Sequence, residues 1–149
     1  MMPPMGIVDD LLANPGLYVG LSRVANADRT GASRILVTRL PGQAGVTLDY
    51  EIFNPSTPDR LYGHVERTIV GRTHQGPSLM AISDMHSDSV AILRETKPGV
   101  FELGSEPAAY PMKVVLSVPE PGRLQHAWWF GSPGEEPVER VVTELTRVN

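Results

Sequence analysis

Residues 123–131 read RLQHAWWFG and hold both tryptophans, one of the three phenylalanines and one of the four histidines of the chain. Alternate residues of a β-strand point to opposite faces of a sheet. The stretch therefore predicts a strand with one face made of Leu124, His126, Trp128 and Phe130. Because most of these side chains are large and apolar, we expect this face to line the interior of the protein.

The rest of the chain repeats this pattern in short segments. Its 149 residues include 14 glycines and 14 prolines spread along the sequence, which is typical of short strands joined by turns. Residues 6–14 are expected to form one short helix, which ends at Asn14-Pro15-Gly16. We predict about ten strands, near residues 17–24, 33–40, 46–52, 61–72, 78–83, 89–95, 100–103, 112–118, 124–131 and 138–148.

The short connections decide how these strands are arranged. They favour antiparallel pairing between consecutive strands, and closing the sheet removes the two open edges that an open sheet would leave. The sequence thus predicts an all-β fold: an antiparallel up-and-down β-barrel of about ten strands with a short N-terminal helical plug. One domain is expected over residues 1–149. A two-sheet sandwich is the alternative, because periodicity alone does not separate the two folds.

Composition excludes several classes of function. Thirteen basic and seventeen acidic residues give a net charge of −4 with no basic run, which argues against a nucleic-acid partner. The absence of cysteine excludes disulfides, thiolate nucleophiles and zinc sites built on cysteine. We find neither a secretory signal pattern nor an apolar run of about 18 residues that would predict a membrane span. A cytoplasmic protein is therefore expected.

Two short motifs add a family resemblance. Gly16-Leu17-Tyr18 follows the predicted helix, and Leu145-Thr146-Arg147-Val148 closes the last strand. Together with the strand pattern, they resemble the calycin superfamily, which includes lipocalins, fatty-acid-binding proteins and nitrobindin-like barrels. In that superfamily an Arg or Lys of the last strand packs on the Trp of a Gly-x-Trp motif and closes one barrel end. The resemblance implies that Tyr18 and Arg147 take these positions.

The ending of the chain also resembles that of fatty-acid-binding proteins. Their Thr-Arg-x-Tyr ending holds a ligand carboxylate through its Arg and Tyr, and this chain has Asn149 at the position of that Tyr. The nitrobindin-like branch of the resemblance implies haem, which needs one inward histidine as its axial ligand. No position of this chain is matched to the histidine of that family's motif.

The candidate ligand-binding residues come from the strand faces that are expected to point to the interior. The clearest faces lie in residues 46–52, 112–118 and 124–131, and a less regular one pairs Met80/Ile82 with Val90/Ile92. Two further strands, residues 61–72 and 138–148, each have a polar residue that one of the two possible phases turns inward. These residues complete the set of candidates. The candidates are Tyr50, His64, Met112, His126, Trp128, Phe130 and Arg140.

Three of these candidates have alternatives. A buried His126 needs either a ligand or a neighbouring carboxyl or carbonyl group. His64 alternates with Glu66 and Thr68 on a face polar enough to be solvent-exposed, but if turned inward it would bring an imidazole and a carboxyl into the lumen. In residues 138–148 one phase points Arg147 inward, as the resemblance implies. The opposite phase brings Arg140 into the lumen, where it could pair with an anionic ligand.

No catalytic residue and no metal site is assigned. Residues 84–88 (DMHSD) repeat oxygen and nitrogen side chains at a spacing of two, but a hydrogen-bonded turn accounts for them equally well. We find no Gly-x-Ser-x-Gly motif and no phosphate loop.

These observations predict an intracellular binding protein for a small hydrophobic molecule held in the barrel lumen. One alternative is a small enzyme that uses an interior histidine as general acid or base, and another is a haem-binding barrel. A third is a solidly packed barrel whose outer face, with Phe53 and Trp129, meets a partner. The oligomeric state is left open, with a homodimer included.

Overall fold

The computed structural model describes residues 6–25, 29–53, 64–83, 90–103 and 111–148, without the side chains of residues 29 and 64. The predicted N-terminal helix and ten strands are confirmed. The elements are α1 (Ile7–Ala13), β1 (Gly16–Val24), β2 (Arg29–Arg39), β3 (Gly45–Ile52), β4 (His64–Thr73), β5 (Gly76–Ser83), β6 (Ala91–Lys97), β7 (Val100–Leu103), β8 (Met112–Ser117), β9 (Arg123–Phe130) and β10 (Val138–Arg147). A short 3-10 turn, Pro41–Gln43, joins β2 to β3.

The ten strands close into one antiparallel barrel. Each strand pairs with its neighbours in sequence, and β1 also pairs with β10 from Tyr18↔Arg147 to Val24↔Val141. We call this β1–β10 pairing the seam. Because the sheet has no free edge between its first and last strands, the barrel prediction is confirmed and the sandwich alternative is wrong.

Helix α1 packs on one end of this barrel. Its buried residues Ile7, Val8 and Leu11 form part of the core cluster, and the helix contacts β3 and β4. Arg39 Nε donates a hydrogen bond of 2.7 Å to the Leu12 carbonyl. We call the barrel end that α1 covers the plugged end. The odd-numbered strands begin there, and we call the opposite end of the barrel the far end. No helix in the described ranges is long and apolar enough to cross a membrane.

Tyr18 and Arg147 lie side by side in the seam, as the resemblance implied. Tyr18 is 1 % exposed, and its hydroxyl donates to the Asn14 carbonyl at 2.7 Å. Burial raises the pKa of Tyr18, and the positive charge and hydrogen bond of Arg147 offset part of this increase. The two residues therefore join the first and last strands next to the plug.

The predicted lining by Met80/Ile82 and Val90/Ile92 is wrong. These side chains are 39–57 % exposed on the outside of the barrel, and the buried residues of the two strands are instead Leu79, Ala81, Ser83 and Leu93. Residues 79–82 are all apolar. The sequence pattern of β5 therefore does not show which of these side chains face the solvent. Ile69, Met80 and Ile92 are directly paired on the outer face of three neighbouring strands.

Glu51 lies on the outer side of β3 but is only 8 % exposed, because two arginines flank it. Arg34 Nε donates to its carboxylate at 2.6 Å, and Arg67 Nη2 donates at 3.3 Å. Burial acts to raise the pKa of Glu51, but the hydrogen bonds and charges of the two arginines outweigh it. The net pKa lies below the ordinary value of 4.5.

Replacing Glu51 with glutamine is expected to lower stability at neutral pH by about 1 kcal/mol, since both arginines are half exposed and screened by water. A depressed folded-state pKa gives stabilisation that is present above the unfolded-state value of 4.5 and disappears as the pH falls through the folded-state pKa. Urea unfolding of both proteins across this pH range measures the effect. A difference that persists unchanged in acid would contradict an ionic origin.

Candidate functional site

A layer of polar side chains crosses the barrel between the plugged end and the far end. On one wall, Ser22, Thr143 and His126 occupy directly paired positions of β1, β10 and β9. On another, Tyr50, Glu66 and Ser83 are directly paired on β3, β4 and β5. We define the polar layer as the residues of these walls and their neighbours that are at most 3 % exposed: Ser22, Ser33, Tyr50, Glu66, Thr68, His126 and Thr143.

Tyr50 connects the two walls of the polar layer. Its phenol oxygen lies 3.0 Å from Ser22 Oγ and 2.6 Å from Thr143 Oγ1. Ser22 Oγ in turn lies 2.5 Å from both Ser33 Oγ and Thr143 Oγ1. Burial raises the pKa of Tyr50, hydrogen bonds from Ser22 and Thr143 lower it, and nearby Glu66 raises it, with a net increase. The phenol therefore stays protonated and takes part in a closed hydroxyl network.

His126 stands at the centre of the polar layer with aromatic rings on two sides. Its ring stacks on Tyr50 at a centroid distance of 4.9 Å and meets Trp128 edge-on at 5.8 Å. Its Nε2 lies 4.0 Å from Glu66 Oε1. The geometry therefore places the imidazole between an aromatic ring and a carboxyl group, and Nε2 is the ring nitrogen on the side of that carboxyl.

Glu66 and Thr68 correct the prediction that their face of β4 is solvent-exposed. Glu66 is 1 % exposed and Thr68 is 2 % exposed, and Thr68 Oγ1 donates to Glu66 Oε1 at 2.5 Å. Hydropathy misplaces them because a polar strand face is normally the solvated one. Here Thr68 bonds Glu66, and the hydroxyls of neighbouring strands bond one another, which offsets part of the usual cost of burying polar groups.

An apolar wall lies between the polar layer and the far end. We define it as Met112, Trp128 and Phe130, of which Met112 and Phe130 are directly paired. Trp128 is 3 % exposed, and its ring lies 5.6 Å from that of Phe130. Within the described part of the chain, the buried Trp128 Nε1 has no hydrogen-bond partner. On the other side of the polar layer, the interior towards the plugged end is filled by aliphatic residues such as Val46, Leu48 and Leu145.

Five of the seven candidate ligand-binding residues come together in this half of the barrel. Tyr50 and His126 belong to the polar layer, and Met112, Trp128 and Phe130 form the apolar wall. The backbone of His64 begins β4 opposite Ile52, and its side chain is outside the description. Whether these residues bind a ligand stays a prediction.

Arg140 lies at an irregular position of β10. The pairing with β9 shifts between Glu139 and Val141, and the Arg140 carbonyl accepts a hydrogen bond of 2.7 Å from Ala25 N. Beyond this bulge, Thr143 and Leu145 are buried whereas Glu144 and Thr146 are exposed. Residues 141–147 thus follow the phase that the resemblance implied. The opposite phase, which would have carried Arg140 inward, does not hold there.

Phe53 and Trp129 lie away from the polar layer, and each has a cation beside its ring. The Arg34 guanidinium lies 5.9 Å from the Phe53 centroid, and Lys113 Nζ lies 4.0 Å from the Trp129 centroid. Each pair covers part of the apolar surface that the interaction-domain alternative needs.

Sequence analysis missed three members of the polar layer: Ser22, Ser33 and Thr143. Their signal was available, because Ser22 alternates with Tyr18 in β1, and Thr143 alternates with Val141 and Leu145 in β10. A hydroxyl residue at an inward position of several strands predicts mutual hydrogen bonding inside a barrel.

This arrangement supplies two surfaces of different chemistry. The apolar wall suits the hydrocarbon part of a small molecule, whereas the polar layer presents an imidazole, a carboxyl and several hydroxyls. The imidazole and carboxyl are also groups that proton-transfer chemistry uses. In the described ranges, no three His, Asp or Glu side chains are grouped as a metal site would require, and the predicted Asp84–Asp88 turn lies outside these ranges. No protein-family model and no curated protein matches the chain.

Proposed function

We propose that this chain is an intracellular, calycin-like binding protein for a small hydrophobic molecule. The molecule lies between the polar layer and the far end, against Met112, Trp128 and Phe130. The observation that carries the proposal is the change of chemistry along the barrel axis, from an aliphatic filling at the plugged end, through the polar layer, to the apolar wall. Closed barrels are a common scaffold for small-ligand sites near one barrel mouth.

Native mass spectrometry of the purified protein tests the proposal directly. We expect a mass above that of the chain, and the excess should be lost on denaturation. An absorption spectrum of the same sample distinguishes a colourless ligand from haem, which would give a Soret band. Titration of a delipidated sample with the neutral dye Nile Red then measures binding, and no binding in either measurement would contradict the proposal.

The two neighbouring tryptophans provide a matched pair of variants. Trp128→Ala is expected to weaken Nile Red binding about tenfold or more, because removing a buried aromatic wall costs at least about 1.5 kcal/mol of apolar contact. Trp129 lies on the opposite face of β9, so Trp129→Ala should change the affinity less than about twofold. Fluorescence titration of both variants makes the comparison. Equal losses would show that the dye does not contact the assigned face.

A further inference from the structure

We infer that the bound molecule carries an uncharged oxygen that accepts a hydrogen bond from Trp128 Nε1. The inference rests on the proposed function and names the ligand class: an amphipathic molecule with a neutral carbonyl, ether or hydroxyl group. Pure hydrocarbons and carboxylates are the classes that it disfavours.

The indole N–H of Trp128 is the first observation. Trp128 is 3 % exposed, and its Nε1 has no acceptor among the residues that the structure describes. A buried donor without an acceptor loses its hydrogen bonds to water and receives none in return. Since Trp128 belongs to the apolar wall, a molecule held against that wall is positioned to supply the missing acceptor.

The ionisable groups buried in the barrel favour a neutral ligand oxygen over an anionic one. The buried residues of the described ranges include the Glu66 carboxyl, 4.0 Å from His126, and no Lys or Arg. Within the described ranges, no buried guanidinium or ammonium group would balance the negative charge that a carboxylate ligand brings near this carboxyl. A neutral oxygen satisfies the indole N–H without that cost.

Trp129 gives an internal comparison within the same strand. Its Nε1 is likewise buried and without a hydrogen-bond partner in the described residues, but Lys113 covers its ring on the outer face of β9. A molecule in the lumen should therefore affect the Trp128 indole signal and leave that of Trp129 unchanged.

Three probes of nearly equal shape test the inference: acetophenone, ethylbenzene and benzoate. Acetophenone carries a neutral carbonyl, ethylbenzene has no hydrogen-bond acceptor, and benzoate carries a carboxylate. In ¹H–¹⁵N spectra of the whole chain, acetophenone should move the Trp128 Hε1 resonance downfield, and Trp129→Phe assigns the two indole signals. Calorimetric titration should rank acetophenone above both ethylbenzene and benzoate.

Trp128→Phe keeps an aromatic ring in the wall and deletes the N–H. We expect the ratio of acetophenone to ethylbenzene affinity to fall about tenfold in this variant, the size of one buried hydrogen bond, and to stay constant in Trp129→Phe. An unchanged ratio, or tightest binding of benzoate, would overturn this inference while leaving the proposed function standing. Failure of all three probes to bind while Nile Red still binds would likewise overturn the inference alone, whereas absence of Nile Red binding and of any bound mass would contradict the proposed function.

Discussion

Replacing Gly20 with alanine is expected to destabilise the protein by about 3 kcal/mol, the upper part of the range for forced overpacking. Gly20 is paired with Leu145 in the seam. A Cβ atom at Gly20 would overlap the carbonyl oxygen of Glu144 and lie 2.9 Å from Leu145 Cα. Because these are backbone atoms, no side chain can rotate away, and the two strands must separate to admit a methyl group.

Gly6→Ala provides the matched control. A Cβ atom at Gly6 would have no described atom within 4 Å. The φ angle of Gly6 is −77°, which alanine adopts without strain. The control should cost less than about 1 kcal/mol, the usual difference between Gly and Ala at a helix N-cap. Urea unfolding followed by tryptophan fluorescence measures both variants, and equal stability of Gly20→Ala and the unmodified protein would show that the seam is less tightly packed than described.

Replacing His126 with leucine is expected to cost about 3 kcal/mol, the cost of removing one partner from a buried ionisable pair. The imidazole is 2 % exposed, packs against Tyr50 and Trp128, and lies 4.0 Å from Glu66 Oε1. Leucine leaves the Glu66 carboxyl beside an apolar group. The same substitution at the exposed His74 should change stability by less than about 0.5 kcal/mol.

A double variant separates loss of packing from loss of the polar partner. Glu66→Gln keeps an oxygen that can accept the hydrogen bond of Thr68 and removes the ionisable group. If the carboxyl is the main cost, Glu66→Gln with His126→Leu should recover at least about 1 kcal/mol relative to the sum of the single variants. Strictly additive values in urea unfolding would mean that packing alone accounts for the His126→Leu effect.

The number of strands and most of their bounds were predictable from sequence because turn residues separate nearly all of them. The exception is β2, which begins at Arg29 and not at the predicted residue 33, since Gly31 continues the strand instead of ending a turn. Faces were predictable only where a strand has one apolar and one polar side, as in residues 46–52 and 123–131. In β5 the apolar residues Met80 and Ile82 face outward beside equally apolar neighbours, so the sequence contains no information on phase. In β4 the polar side is the buried one, and hydropathy predicts the reverse.

Inward hydroxyls could be predicted to bond one another, but which residues pair within the polar layer was beyond the reach of the sequence. Tyr50 and Thr143 share a hydrogen bond across 93 residues of chain, and no local pattern relates such distant positions. The strand order of the closed barrel brings their walls together. His126 was predictable as a buried histidine that needs a partner, but its neighbours Glu66 and Tyr50 become apparent only from the register and the crossing of the lumen.

The seam also determines what the chain exposes while it is being synthesised. Ser22 and Thr143, which join β1 to β10, lie 121 residues apart, whereas every other strand pairs with one made just before or after it. Throughout translation of β2 to β9, β1 keeps a row of unpaired N–H and C=O groups, and each newest strand presents another. Such edges are templates for pairing with other chains. Insertion of the ten residues of β10 removes both edges in one event.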